Sequence, residues 1–205
     1  MSHRPIFHVL AGPNGAGKST LYRNEIAPRF PDAEFVNADE LAKAHYGQPA
    51  VTLAESQTGQ RLAEERRREL MAQHKSLVTE STFSHPSKVE LIEDALNAGY
   101  EVRLYHVNVR SPDLSVKRVD RRVKEGGHPV PEDKIRERYM RNQALILQAA
   151  RLADRADVFD NSEFGKPPER VLTLAKGQAR YVSERMPAWA RNLYAEELRS
   201  DAPSG

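Results

Sequence analysis

Short apolar runs alternate along this chain with longer stretches in which apolar residues recur at helical spacing. Ile6-Phe7-His8-Val9-Leu10 is too short for a helix and rich in strand formers, so it reads as the first strand. Runs of the same kind lie at Glu34–Ala38, Ser76–Glu80, Glu101–Val109, Arg155–Asp160 and Val171–Leu174. Helical spacing fills the gaps. Ser19 to about Arg29 ends near Pro28 and Pro31, and Asp39 starts a helix that stops before Gly47. Ala54–His74 is charge-dense, with Leu62, Leu70 and Met71 as its inner face. Pro86 opens the next helix at a favoured first-turn position, and Gly99 stands where its C-terminal cap belongs. Ser111-Pro112 starts another, with Leu114, Val119 and Val123 facing inward, and Glu132 to Leu152 is the last long one. After Gly177 the pattern is helical in parts, and Asp201–Gly205 reads as a frayed tail. Strands alternating with helices, without internal repeats, predict an α/β fold: a parallel sheet flanked by helices.

The first strand runs into Gly12-Pro13-Asn14-Gly15-Ala16-Gly17-Lys18-Ser19, which meets every requirement of the phosphate-binding P-loop. Glycines let the backbone turn tightly and aim successive amides inward, and Lys18 is placed to reach β- and γ-phosphates. The Ser19 hydroxyl is suited to Mg²⁺. The alternative is a purely structural strand–helix turn. With this motif the expected architecture becomes a P-loop NTPase or kinase fold over residues 1–180, followed by a helical extension at 181–205.

Composition narrows the partners. Of 205 residues 29% are charged, and the formal net charge is only +2, so nothing calls for nucleic acid or a membrane surface. The absence of cysteine excludes disulfides and thiolate metal sites. No apolar run is long enough to span a membrane, and Met1–Pro5 does not read as a signal peptide, which makes the cytoplasm the expected location.

Three further groups of residues carry chemistry. Asp39 lies just past the second strand, at the end of the sheet where α/β proteins bind ligands, and suits a general base for an attacking hydroxyl; its alternative role is a helix N-cap. Glu80 and Thr82 end the third strand, where the acid can act at a metal or an acceptor and the hydroxyl can donate to a sugar or phosphate oxygen; the alternative is a solvated strand end. Arg118, Arg121, Arg122, Arg136, Arg138 and Arg141 lie on two helices split by Gly126-Gly127-His128-Pro129-Val130-Pro131. Two hinged, arginine-bearing helices at about 112–142 suit a lid closing on phosphates, though each arginine taken singly reads as a solvated helix face. Arg66-Arg67-Arg68 reads as surface, the histidines lack metal-ligand spacing, and Trp189, Tyr181 and Tyr194 read as packing.

Taken together, the P-loop with Thr20, Val36-Asn37-Ala38-Asp39, Glu80-Ser81-Thr82, Arg118 to Arg122, the Gly-Gly-His-Pro-Val-Pro segment, Ile135-Arg136-Glu137-Arg138-Tyr139 and Asp160-Asn161-Ser162 resemble the zeta toxin family. The resemblance implies a P-loop kinase that uses ATP and Mg²⁺ to phosphorylate a sugar nucleotide, UDP-N-acetylglucosamine, on the 3′-hydroxyl of its amino sugar. It implies nucleotide contacts at Gly12, Asn14, Gly15, Ala16, Gly17, Lys18, Ser19, Thr20 and Asn161. By the same match Asp39 is the base and Ser19 and Glu80 face the metal. Glu80 and Thr82 face the acceptor. Among the arginines Arg122 and Arg138 fall on the lid contacts, with Arg118 and Arg121 as alternates. An antitoxin protein is an implied partner. Other acceptors (a nucleoside, a polynucleotide, another metabolite) and a non-catalytic ATP-binding switch stay open at this point.

Overall fold

A computed structural model describes residues 4–48, 52–127 and 129–199. His128 and the polar tail lie outside the described residues. Seven strands form one sheet in the order β2-β3-β1-β4-β5-β6-β7. They are β1 Ile6–Ala11, β2 Glu34–Val36, β3 Leu77–Ser81, β4 Glu101–Asn108, β5 Arg155–Asp160, β6 Glu169–Ala175 and β7 Gln178–Val182. The helices are α1 Lys18–Leu21, which runs into a π turn at Tyr22–Ile26, then α2 Ala38–Tyr46, α3 Leu53–Ala72, α4 Ser87–Asn97, α5 Pro112–Lys124, α6 Glu132–Leu152, α7 Ala188–Leu193 and α8 Ala195–Arg199.

The sheet is mixed. β2, β3, β1, β4 and β5 are parallel, whereas β6 and β7 return antiparallel. The chain between β5 and β6 holds no helix, and without a crossover the next strand must run backwards. A two-residue hairpin, Lys176-Gly177, then joins Ala175 to Gln178 with both residues at positive φ (48° and 77°). The apolar pattern conceals β7, because only Ala179 of its five residues is buried and no alternation results. The segment beyond it belongs to the main core: Met186, Ala190 and Tyr194 are buried there.

β1 lies inside the sheet, between β3 and β4, and is the middle one of the five parallel strands. Phe7, Val9 and Ala11 face the larger core under α3, α4 and α6, and Leu10 faces the smaller one against Leu21 and Ile26. Burial on both faces explains why β1 reads as a continuous apolar run. Parallel register brings the carboxyl ends together: Ala11 pairs with Ser81 and His106, and Asn108 with Asp160. Gly12, Thr82, Val109 and Asn161 therefore leave the sheet along the same edge.

Two histidines are buried in these central strands. His8 Nδ1 meets the Tyr105 hydroxyl at 3.0 Å and His106 Nδ1 meets that of Tyr194 at 2.8 Å, while both Nε2 atoms are buried without a partner. Burial pushes their pKa values down from 6.5, to about 4 for His8 (with help from Arg103) and about 3 for His106. Both stay neutral in the fold while the unfolded chain takes up protons, so stability is lost as pH falls from about 6.5 toward those values. Between pH 6 and 5 the two together are expected to cost about 2 kcal/mol, read as a drop in the urea unfolding free energy. A flat profile over that interval would show that the imidazoles are not held neutral.

Candidate active site

The loop after β1 has no room for side chains. A Cβ on Gly12 would lie 1.9 Å from the Val107 carbonyl oxygen, so β1 can pass this close to β4 only with glycine there. Gly17, at φ 96°, turns the chain into α1, and a Cβ there would strike the Asn161 amide at 2.3 Å. Asn161 donates from Nδ2 to the Ala16 carbonyl at 2.8 Å, and its own amide bonds the Asn108 carbonyl, so the end of β5 braces the loop.

Lys18 is buried, with Nζ donating at 3.0 Å to the carbonyls of both Gly12 and Pro13 and lying 3.9 Å from Glu80. Burial lowers its pKa, and the Glu80 carboxylate opposes that shift; Arg122 lowers it and Asp39 raises it, so all three charges act on this ammonium. Ser19 Oγ donates to Glu80 Oε2 at 2.8 Å. These two hard oxygen donors fit Mg²⁺, which takes one or two protein ligands and completes its octahedron with phosphate and water oxygens. Among the described residues no cluster of three His, Asp or Glu side chains could hold a metal without that help.

Asp39 is not the helix cap. Asn37 takes that role, its side-chain oxygen accepting from the amides of Asp39 (2.8 Å) and Glu40 (3.3 Å). The Asp39 carboxylate is thereby left to line a cleft of about 940 Å³ together with Lys18, Ser19, Glu80 and Thr82. Thr82 Oγ1 lies 3.3 Å from Ser84 Oγ, and its carbonyl accepts from Asn142 Nδ2 at 3.0 Å, tying β3 to α6.

The arginines divide by helix face. Arg118, Arg122 and Arg138 line the cleft, and Arg118 Nη1 reaches the Gly15 carbonyl at 3.4 Å. Arg121 turns instead over the Phe164 ring, 4.8 Å from its centroid, and pairs with Glu125. With Arg118 and Arg122 it also lines an adjoining cavity of about 400 Å³ beside Asn161. Arg136 joins Asp113 to Glu132, and Arg141 pairs with Glu137. Tyr139 anchors α6 by donating to the Val109 carbonyl at 2.7 Å.

The Arg66-Arg67-Arg68 run, expected from the sequence to lie at the surface, divides. Arg67 is not a surface residue: it faces the cleft, with Nε buried and without a hydrogen-bond partner, while its neighbours Arg66 and Arg68 pair with carboxylates at the surface. The signal was present in α3, where Ser56, Gln60, Glu64 and Arg67 recur at helical spacing and form one polar face. Leu62, expected inside, is only half-buried, and Gly59 and Ala63 take the buried positions with Leu70.

Comparison with known proteins decides the family: the sequence profile described as zeta toxin matches residues 1–166. The chain belongs to the zeta toxin family. A Haemophilus influenzae protein described as uncharacterized is 30% identical over 147 residues, covering 68% of this chain and 94% of that protein. Among solved structures, the PezAT chromosomal toxin–antitoxin system of Streptococcus pneumoniae aligns over 97% of this zeta toxin family member and 88% of that chain, at TM-score 0.63 and 16% identity. The AvrRxo1-ORF1:-ORF2 structure with ATP aligns at TM-score 0.68 and 19% identity, over 95% of this chain but only 64% of that one. Shikimate kinase from Acinetobacter baumannii matches at TM-score 0.50 and 19% identity over 96% and 92%. Family and P-loop kinase fold together support an ATP-dependent phosphotransferase of the kinase type. Among the described residues no helix is long and apolar enough to cross a membrane.

Proposed function

We propose that this protein is an ATP- and Mg²⁺-dependent kinase acting on a hydroxyl of a small-molecule acceptor, a sugar nucleotide such as UDP-N-acetylglucosamine. The observation that carries this is one cleft lined at once by Lys18 and Ser19, by Asp39, whose carboxylate takes no part in the helix cap, and by Arg122 and Arg138. Amides from Gly15 to Thr20, with Lys18, bind the donor phosphates, and Asn161 steadies the loop on the nucleoside side, where the cavity under Arg121 adjoins it. Ser19 and Glu80 would hold Mg²⁺, which supplies positive charge against the phosphate oxygens. Asp39 accepts the acceptor's hydroxyl proton as that oxygen bonds to the γ-phosphorus. The bond from phosphorus to the bridging oxygen breaks and ADP departs. Arg122 and Arg138 balance charge on the transferring group, and Thr82 and Arg118 orient the acceptor. Positioning and fixed charge thus supply most of the catalysis.

The test is transfer from radiolabelled ATP to a panel of UDP-N-acetylglucosamine, other sugar nucleotides, nucleosides and short RNA. Acceptor-dependent ADP release is expected with the sugar nucleotide. ATP binding without such release from any member of the panel would point to a non-catalytic switch and end the kinase assignment. An antitoxin protein as partner and a cytoplasmic site of action belong to the same proposal; the fold shared with PezAT supports the first.

A further inference from the structure

Trp189 is the chain's single tryptophan, and it stands beyond residues 1–166, the part that the zeta toxin profile matches. The sequence reads it as packing. Its ring does pack, edge-on against His106 with centroids 5.3 Å apart, and His106 in turn meets the Tyr194 hydroxyl at 2.8 Å. These contacts fasten α7 to β4. The indole also makes a polar contact that packing does not require: Nε1 donates to Asp160 Oδ1 at 2.7 Å. A partly buried indole N–H on a carboxylate is a charge-assisted hydrogen bond.

Asp160 closes β5, one residue before Asn161. Its carboxylate also accepts from Ser162 Oγ at 2.6 Å and from the Ser162 amide at 3.4 Å. Ser162 Oγ in turn accepts from the Arg110 amide at 2.8 Å. Asn161 therefore lies between two residues that are both tied down. Its Nδ2 holds the Ala16 carbonyl of the P-loop at 2.8 Å, and a Cβ on Gly17 would come within 2.3 Å of that nitrogen, so a small shift of Asn161 loosens or strikes the loop. Asp160 reaches the loop by charge as well. Burial lowers the Arg118 pKa and the Asp160 carboxylate opposes that shift, while Arg118 Nη1 donates to the Gly15 carbonyl at 3.4 Å. Beyond Ser162 the same segment, through Phe164 and Lys166, walls the cavity of about 400 Å³.

We propose that Trp189 is a positioning residue for nucleotide binding: its indole N–H fixes Asp160, and through it the Asn161 side chain that braces the P-loop. The proposal rests on the reading of that loop as a nucleotide site and assigns part of its affinity to the segment after β7.

The test compares the parent chain with Trp189→Phe, which keeps an aromatic ring against His106 and removes the N–H. Calorimetry with Mg²⁺ and a non-hydrolysable ATP analogue, at a temperature where circular dichroism shows both proteins folded, is expected to give about fivefold weaker binding in the variant. A residue that only packs would lower Tm and leave this affinity alone, so equal affinity overturns the proposal. In an Asp160→Ala background Trp189→Phe should weaken the analogue no further, because the route through the carboxylate is already gone. The same fivefold loss in that background also overturns it. The parent's own fluorescence needs no variant. A contact that strengthens nucleotide binding is strengthened by it to the same degree, so emission from the single tryptophan should change as the analogue saturates, with the midpoint that calorimetry gives. Unchanged emission at saturation overturns the proposal, even where Trp189→Phe fails to fold. Failure of the parent to bind the analogue at all is a different result: it refutes the nucleotide site itself, and the kinase assignment with it.

Discussion

Asp39→Ala is expected to bind ATP as tightly as the parent protein and to lose about three orders of magnitude in phosphoryl transfer. The separation follows from the start of α2. Asn37 supplies the cap, so removing the Asp39 side chain leaves both capping hydrogen bonds in place and α2 intact. Asp39 is exposed and packs nothing, so Tm should move by no more than a few degrees. What disappears is the acceptor for the hydroxyl proton, an interaction that strengthens only as the oxygen attacks, so kcat falls while ATP affinity holds. Steady-state kinetics beside an ATP titration separate the two. Transfer at the parental rate would remove Asp39 from the chemistry.

Lys18→Ala is expected to weaken ATP by about two orders of magnitude and to reduce transfer by a further factor of ten or more. Lys18 reaches its position through a loop built around it, its ammonium bridging the Gly12 and Pro13 carbonyls with Glu80 behind. In the alanine variant those carbonyls lose a charged donor, but a desolvated ammonium is removed as well, and the opposing effects should hold Tm within a few degrees of the parent. A loss of ATP binding at nearly constant stability would mark a phosphate ligand rather than a structural strut. Unchanged ATP affinity would refute the phosphate-binding role of the loop.

Much of this was legible in local pattern. Six of the seven strands and the long helices follow from run length, spacing and breaker residues, and the P-loop is complete within eight consecutive positions. The parts that escaped have physical causes. β7 has a single buried residue, and its turn is Lys176-Gly177, which lacks the asparagine or aspartate that usually marks such a hairpin. Whether Asn37 or Asp39 caps α2 turns on two residues of register, which is within the uncertainty of any helix boundary drawn from sequence. Arg66, Arg67 and Arg68 are consecutive and chemically alike, yet α3 turns about 100° per residue and sends only the middle one into the cleft.

By itself the sequence determined the alternation that makes an α/β sheet, the phosphate loop at the end of β1, and the acids that follow β2 and end β3. These are properties of contiguous residues and backbone geometry, and no distant contact is needed to specify them. Tertiary structure alone decided which arginines share a cavity with Lys18, that Asn37 frees the Asp39 carboxylate, and that Arg67 on α3 and Lys88 on α4 line the same cleft. Each of those facts depends on how a helix is rotated against its neighbours, which is set by packing such as Gly59 against Ala38, and packing between segments far apart in the chain leaves no mark on the spacing within either one.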